Sequence, residues 1–277
     1  MSVRRRGATL HPQRKARSRA TRGRVSRAKG LSGTRIVLYA VVGLMGLLAA
    51  DFLYQVVRKP TELLFPVSGV LYKTPAESWQ AYGPLFRRYS TALIDAELLA
   101  ALAQVEASGN PLVRTYWRWS WSAPLIDMYR PASSAVGMYQ ITDPTFGEAS
   151  QYCIHDHKLV QAGAWDDWRS CWFNRLYLRI VPADAVELTA AYLDLKVAGI
   201  LAHPGKHPPL PLQIRHLAAV VHLCGAGAAA GYARRGFQFL PGQRCGDHDP
   251  REYLARVEAA RETFVRLAAR EPPPAAQ

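Results

Sequence analysis

The sequence predicts a mainly α-helical domain outside the cytoplasm, preceded by a single transmembrane helix. Three observations lead to this class. A long apolar run follows a basic amino terminus, apolar residues further along recur at helical spacing, and alternating strand patterns are scarce. All four cysteines lie beyond the apolar run, which is typical of a domain in an oxidising compartment.

The positive charge of the chain is concentrated at its amino terminus. The formal net charge is +14, but residues 1–35 hold twelve Lys/Arg and no Asp or Glu. The remaining residues carry 23 basic and 21 acidic side chains, so the globular part is nearly neutral. We therefore expect residues 1–35 to form a disordered cytoplasmic arm that also lies on anionic lipid. Nucleic-acid binding by this arm is the alternative; no nucleic-acid partner is expected.

Residues 36–57 predict the membrane anchor. They read IVLYAVVGLMGLLAADFLYQVV, with Asp51 as their one charged residue. A helix of this length spans about 33 Å, which matches the bilayer core. The basic arm before it places the amino terminus in the cytoplasm. A cleaved signal peptide and a buried helix are the alternatives, but the basic region is long for a signal peptide, and Leu48 is a poor residue for a cut after Ala50.

The remaining chain divides into a connector, a folded domain and a short tail. Four prolines interrupt residues 58–90, which we interpret as a linker with one short helix. Residues 91–270 are expected to form the domain, and the Pro/Ala-rich residues 271–277 to be disordered. Helices are predicted from Thr91 or Asp95 to about Ala107, from Pro182 to about His203, over 212–230 with interruptions at Gly225 and Gly227, and over 251–270. Residues 112–136 form an irregular, aromatic-rich segment, and residues 143–180 form short helices.

The four cysteines are Cys153, Cys171, Cys224 and Cys245. Three disulfide pairings are possible. We favour Cys153 with Cys171 and Cys224 with Cys245, because each pairing closes a loop of only about twenty residues, worth on the order of 3 kcal/mol. Four buried free thiols are the alternative. No Cys-x-x-Cys motif occurs, so no zinc site is predicted, and neither a metal nor a cofactor is expected.

Two strings carry the functional signal. Glu106 lies in the string VEASGNP of residues 105–111, and the string SSAVGMYQI follows at residues 133–141. Together they resemble the Glu-Ser-x-x-Asn-Pro and Gly-Leu-Met-Gln motifs of the soluble lytic transglycosylases, a branch of the lysozyme-like superfamily. A third string, VHLCGAG at residues 221–227, is similar to the family's Ala-Tyr-Asn-x-Gly-x-Gly motif in its glycine spacing. The resemblance covers about residues 90–235.

The resemblance implies a lysozyme-like fold and assigns roles to individual residues. It makes Glu106 the catalytic acid and base. In the family a tyrosine of the third motif bonds the catalytic glutamate; here His222 stands in its place, or Tyr232 reaches in from elsewhere. Tyr139 replaces the family's methionine and keeps an apolar surface for a sugar. The expected substrate-binding residues are Gln140, Tyr139, Met138, Gly137, Ser108, Ser134, His222, Tyr116 and Trp117.

The implied reaction cuts the β-1,4 bond between N-acetylmuramic acid and N-acetylglucosamine in peptidoglycan without water and leaves 1,6-anhydro ends. One carboxyl group suffices if its protonation can change during the reaction. The expected setting is the periplasmic face of a bacterial inner membrane, for local cell-wall remodelling, by analogy beside an envelope-spanning secretion or conjugation machine. The alternatives are a catalytically weak peptidoglycan-binding scaffold and a hydrolytic muramidase that uses Asp127 or Asp143 as a second carboxylate.

Overall fold

The computed structural model of the chain describes residues 33–113, 115–124, 127–167, 170–202 and 208–271. The chain divides into two compact units, Met1–Gly46 and Leu47–Gln277. Most of the predicted basic arm and the tail after Glu271 lie outside the described residues. The structure is mainly helical, with 60% helix and few strands, as the sequence predicts.

The described residues contain eight α-helices, four short strands and two 3₁₀ helices. The helices are α1 (Gly33–Arg58), α2 (Phe65–Ser68), α3 (Pro75–Tyr89), α4 (Ala96–Ala107), α5 (Asp143–Ala149), α6 (Pro182–Leu201), α7 (Pro211–Arg234) and α8 (Pro250–Ala268). The strands are β1 (Trp117–Trp119), β2 (Tyr129–Pro131), β3 (Tyr152–His155) and β4 (Lys158–Gln161). The 3₁₀ helices are Pro60–Leu64 and Cys171–Leu176.

Two described helices are long and apolar enough to cross a membrane, α1 over Gly33–Val57 and α7. The side chains of α1 from Ile36 to Leu48 are exposed, so they lack a protein environment. Helix α7 differs, because it packs against α6 and α8 and buries much of its length. Helix α1 is therefore the candidate membrane span, whereas α7 is a helix of the domain core.

The core of the second unit surrounds helix α4. Leu98, Leu99 and Leu102 are fully buried there, and each contributes about 1.5–3 kcal/mol by leaving water. Helices α3, α6, α7 and α8 supply the side chains around them, among them Trp79, Phe86, Leu188, Leu193, Leu217, Val221, Val257 and Phe264. A helix that is enclosed in this way holds any polar group at its end in a defined position.

Helix α3 belongs to this core, although its residues fall within the predicted linker of residues 58–90. Thr74 and Glu77 form a capping box, and Pro75 occupies the first turn, where its missing N–H costs nothing. The helix continues through Pro84. The buried aromatic side chains of α3 pack against α4. This packing outweighs the tendency of Pro84 to interrupt a helix. Residues 75–89 of the predicted linker therefore contribute side chains to the packed core.

Two polar contacts join α4 to α8. The side chain of Asp95 caps α4 by accepting the Leu98 N–H at 2.7 Å. The same carboxylate pairs with the Arg261 guanidinium of α8 at 2.8 Å. At the opposite end of α4, Glu106 meets Tyr253 in the first turn of α8. The two helices therefore run antiparallel, with a polar contact at each end.

Two hairpins lie where the sequence predicts irregular or short helical segments. Strand β1 pairs with β2, and β3 pairs with β4. Strands of three or four residues are too short to show clear alternation in sequence. The β3–β4 hairpin is held by the buried carboxylate of Glu187, which accepts the Ile154 N–H at 3.0 Å and the Tyr177 hydroxyl at 2.8 Å.

The predicted disulfide pairing is confirmed. Cys153 bonds Cys171 and Cys224 bonds Cys245, with Cα–Cα distances of 5.3 and 5.1 Å. The second disulfide attaches α7 to the loop before α8 next to Gly225, where the helix is broken at φ 78°. Two disulfides favour an oxidising, extracytoplasmic compartment for the domain.

We predict that replacing Cys224 and Cys245 together by serine lowers the free energy of unfolding by about 3 kcal/mol, since the unfolded chain gains loop entropy. Urea unfolding of the full chain in detergent, followed by circular dichroism, measures this change. Adding reductant should lower the stability of the wild type by more than that of the variant, because the wild type loses two disulfides and the variant has only Cys153–Cys171 to lose. Equal stability of variant and wild type would contradict the prediction.

Candidate active site

Glu106 occupies the last turn of α4, between the apolar core and the surface. Its side chain is 19% exposed. The chain turns sharply just after it, because Ser108 and Gly109 adopt left-handed φ values of 48° and 64°. Asn110 is fully buried and fixes this turn by donating to the Ser68 carbonyl and accepting the Leu112 N–H. The Glu-x-x-x-Asn spacing thus positions the carboxylate through the backbone that follows it.

Tyr253 of α8 holds one oxygen of this carboxylate. Its hydroxyl donates to Oε1 of Glu106 at 2.6 Å, a length typical of a charge-assisted hydrogen bond. Burial, together with the neighbouring Glu106 carboxylate, raises the pKa of Tyr253 well above its ordinary value. The phenol is therefore protonated at any physiological pH and acts as a fixed donor.

His222 of α7 is the second polar neighbour of Glu106. Its Nε2 lies 3.5 Å from the same Oε1, which is long for a hydrogen bond. Burial lowers the pKa of His222, and the opposing effect of the Glu106 carboxylate is smaller. The imidazole is consequently neutral at pH 7 and brings no formal charge to the carboxylate.

The two carboxylate oxygens of Glu106 therefore differ in their contacts. Both recorded contacts, from Tyr253 and His222, are with Oε1. No hydrogen bond is recorded to Oε2 from any residue that the structure describes. One oxygen is thus held in place while the other is available for exchanging a proton with a bound molecule. This is the arrangement that a general acid and base requires.

The second motif forms a tight turn behind the site. Val136 and Ile141 pair as an antiparallel bridge, and residues 137–140 connect them. Gly137 has a φ of 82°, and a Cβ atom there would lie 2.1 Å from the Arg179 carbonyl oxygen. No other residue fits that position without a backbone shift. The glycine of this motif is therefore required by the turn.

Tyr139, in the second motif, lies between α4 and His222 of the third motif. Its hydroxyl donates to the Leu99 carbonyl of α4 at 3.0 Å. Its ring lies 6.4 Å from the His222 ring in an edge-on arrangement, measured between centroids. The folded chain thus brings together the first motif at Glu106, the second at Tyr139 and the third at His222. These strings are distant in sequence, so their convergence is a property of the fold.

Several of the predicted substrate contacts have side chains that are buried or engaged in the protein. Met138 and Tyr139 are fully buried, so their side chains support the core and offer no surface to a sugar. Trp117 is also engaged, because its indole N–H donates to Glu62 at 2.9 Å and its ring packs between Phe52 and Tyr129. A motif match alone does not show which side chains point outward.

Other predicted contacts remain accessible to different degrees. The Gln140 side chain is half-buried and donates to the Val113 and Gly137 carbonyls at 3.2 and 2.9 Å. Ser108 is half-buried two residues from Glu106, and Tyr116 is exposed. The Ser134 hydroxyl accepts the Asp143 N–H at 3.1 Å. Ser134 lines a cavity of about 710 Å³ whose lining does not include Glu106.

Sequence reasoning missed Tyr253 as the partner of Glu106. Tyr232, the proposed substitute, instead stacks on Phe239 with ring centroids 4.5 Å apart. The available signal was the apolar face of α8, where Tyr253, Leu254 and Val257 recur at helical spacing and are buried. A tyrosine on a buried face requires a partner for its hydroxyl, and a helix-end carboxylate is a suitable one.

Neither carboxylate that was considered for hydrolysis contacts Glu106. Asp127 accepts a hydrogen bond from Gln55 at 3.1 Å, and Asp143 pairs with Arg179 at 2.7 Å. In a separate group, His155 lies close to the sulfurs of Cys153 and Cys171. Those sulfurs are bonded to each other, so they offer no thiolate ligand to a metal.

Comparison with known proteins assigns neither a family nor a function to the chain. No protein-family model matches the chain, and no curated protein matches it.

We predict that His222 makes the protein less stable in mild acid. The unfolded chain binds a proton at His222 near pH 6.5, whereas burial lowers the folded-state pKa. The unfolded state therefore binds more protons below about pH 6.5, and the free energy of unfolding falls as the pH decreases, by at most about 1.4 kcal/mol per pH unit. His216 of α7, whose pKa is also lowered by burial, contributes in the same direction.

Urea midpoints of the full chain at pH 7.5 and 5.0 test this prediction. His222→Gln should reduce the difference between the two midpoints, because the variant loses the group that titrates. Exposed His248→Gln is the matched control and should leave the difference as in the wild type. A His222 variant with an unchanged difference would show that the pKa of His222 is the same in the folded and unfolded states, contrary to the prediction.

Proposed function

We propose that this protein is a membrane-anchored peptidoglycan lytic transglycosylase with a lysozyme-like domain, in which Glu106 is the catalytic acid and base. The observation that carries the proposal is the Glu106 carboxylate, which has Oε1 fixed by Tyr253 and Oε2 available. The convergence of the three motifs around this group supports the same reaction. In this proposal α1 crosses the bacterial inner membrane with its amino terminus in the cytoplasm, and the domain lies in the periplasm.

The first step of the proposed reaction breaks the glycosidic bond. Protonated Glu106 donates its proton from Oε2 to the oxygen that links N-acetylmuramic acid to N-acetylglucosamine. The bond from the muramic acid C1 to that oxygen breaks, and C1 becomes positively charged. The carboxylate that forms is stabilised by the hydrogen bond from Tyr253 to Oε1.

The second step closes the anhydro ring. Oε2 of the Glu106 carboxylate removes the proton of the sugar's C6 hydroxyl. The C6 oxygen then bonds to C1. Glu106 returns to its protonated form, and no water is consumed. A single carboxyl group thus performs both proton transfers. The engagement of Asp127 by Gln55 and of Asp143 by Arg179 supports this route over one that needs a second carboxylate.

We predict that Glu106→Gln abolishes release of muropeptides from purified sacculi, since the amide can neither donate the proton nor remove one. The loss should be about 10²–10⁴-fold or greater. Glu97→Gln is the matched control, because Glu97 lies in the first turn of the same helix and should not affect the reaction. Mass spectrometry of the soluble products of the full chain measures both the amount and the kind of product.

The products distinguish this proposal from its alternatives. Anhydro muropeptides, one water lighter than hydrolytic ones and lost with Glu106→Gln, support the transglycosylase. Hydrated products would identify a muramidase and contradict the proposed second step. Binding of the wild type to sacculi without any release would favour a peptidoglycan-binding scaffold.

Tyr253 is proposed to act as a positioning residue that does not touch the substrate. We predict that Tyr253→Phe lowers kcat about tenfold to hundredfold, because one hydrogen bond to a charged group is lost. KM should change little. Tyr232→Phe is the control, since Tyr232 is also buried but stacks on Phe239. Equal kcat values for the Tyr253 variant and the wild type would exclude this role.

A further inference from the structure

The β1–β2 hairpin exposes an aromatic surface. Trp119 and Trp121 are 52% and 81% exposed and stack on each other with ring centroids 5.7 Å apart. Tyr129 continues the stack on Trp119 at 4.8 Å. Exposed aromatic side chains grouped in this way indicate an interaction surface. Tryptophan and tyrosine are the residues enriched where a protein meets lipid headgroups.

The other face of the hairpin carries two arginines. Arg118 and Arg130 are direct cross-strand partners, an arrangement that is unfavourable for like charges. Both line the cavity of about 710 Å³. Neither has a recorded ion pair or hydrogen bond with any residue in the described part of the chain. Their side chains therefore present uncompensated positive charge to the cavity.

The remaining charges in this region are already paired. Lys59 and Arg179 also line the cavity, but Lys59 pairs with Glu62 and Arg179 with Asp143. Arg118 is exposed and Arg130 is half-buried, so both guanidinium groups are open to an anion from outside the described chain. Apolar side chains form much of the remaining wall, including those of Leu63, Val136, Phe146, Leu178 and Ile180. The cavity thus suits an anionic group that is attached to an apolar chain.

The cavity lies beside the end of α1, which points to the membrane as the source of such a molecule. Gln55, in the last turns of α1, lines the cavity and donates a hydrogen bond to Asp127 before β2. Phe52 stacks on Trp117 with ring centroids 5.9 Å apart. The hairpin is therefore fixed beside the end of the helix that could span a membrane. Leu53 and Val57 of that segment remain exposed, as expected for residues that face lipid.

We propose that the hairpin and its cavity bind the headgroup of an anionic phospholipid in the bilayer that α1 enters. Arg118 and Arg130 contact the phosphate, for which the guanidinium geometry is suited. The apolar wall accommodates the start of an acyl chain, and Trp119 and Trp121 lie at the level of the headgroups. This proposal rests on the membrane anchor and is independent of the proposed catalytic reaction.

Native mass spectrometry of the full chain in detergent tests the proposal. Phosphatidylglycerol and phosphatidylcholine with identical acyl chains are the probes. The wild type should retain phosphatidylglycerol in preference, and Arg118→Gln/Arg130→Gln should weaken its binding about tenfold. Arg266→Gln/Arg270→Gln, which removes two exposed arginines near the end of α8, is the charge-matched control and should bind as the wild type does.

A second measurement does not depend on the folding of the arginine variant. Brominated phosphatidylglycerol should quench the tryptophan fluorescence of the wild type, and Trp119→Phe/Trp121→Phe should lose most of the quenched component. Equal retention of the two lipids, or unchanged binding by the hairpin arginine variant, would overturn the proposal. Displacement of the lipid by equal concentrations of inorganic phosphate would show a free-anion site, and displacement by a muropeptide would assign the cavity to the cell wall. Either result would also overturn it.

Discussion

The structure depends on the antiparallel packing of α4 against α8, which is fixed by a polar contact at each end. Asp95 binds Arg261 at the start of α4, and Glu106 accepts the Tyr253 hydroxyl at its end. Between these contacts the two helices bury apolar side chains in the core. A shift of α8 by one turn would move Tyr253 by about 5.4 Å and separate it from the carboxylate. The same packing of α4 against α8 therefore stabilises the helix pair and sets the geometry of the site.

The second and third motifs contribute to the site through the core and not through surface contacts. Gly137 lets the turn approach the Arg179 carbonyl, and this approach places Tyr139 between Leu99 and His222. Buried Tyr139 thus supports His222, and His222 in turn lies beside Glu106. A substrate can meet only what remains accessible next to them. A motif can therefore shape a site while most of its side chains stay buried in the core.

The parts of the molecule that sequence predicts well are those that depend on local interactions. The cap at Asp95, the extent of α6 and the short disulfide loops each involve residues close together in the chain. The contact between Tyr253 and Glu106 joins residues 147 apart, so it depends on how α8 packs. The β1–β2 hairpin was missed for a related reason, because its three-residue strands are stabilised by Phe52 and Glu62 from outside the hairpin.

The last turns of α1 have one side buried against protein and one side exposed. Asp51 and Gln55 are polar residues of the predicted anchor, and both are buried; Gln55 donates a hydrogen bond to Asp127. Leu53 and Val57, in the same turns, are exposed. One side of these turns therefore packs on protein while the other remains apolar and uncovered. If that uncovered side lies in lipid, the hairpin cannot move away from the bilayer without breaking its contacts with α1. The domain is then attached through the side of the last turns of α1 as well as through the end of that helix.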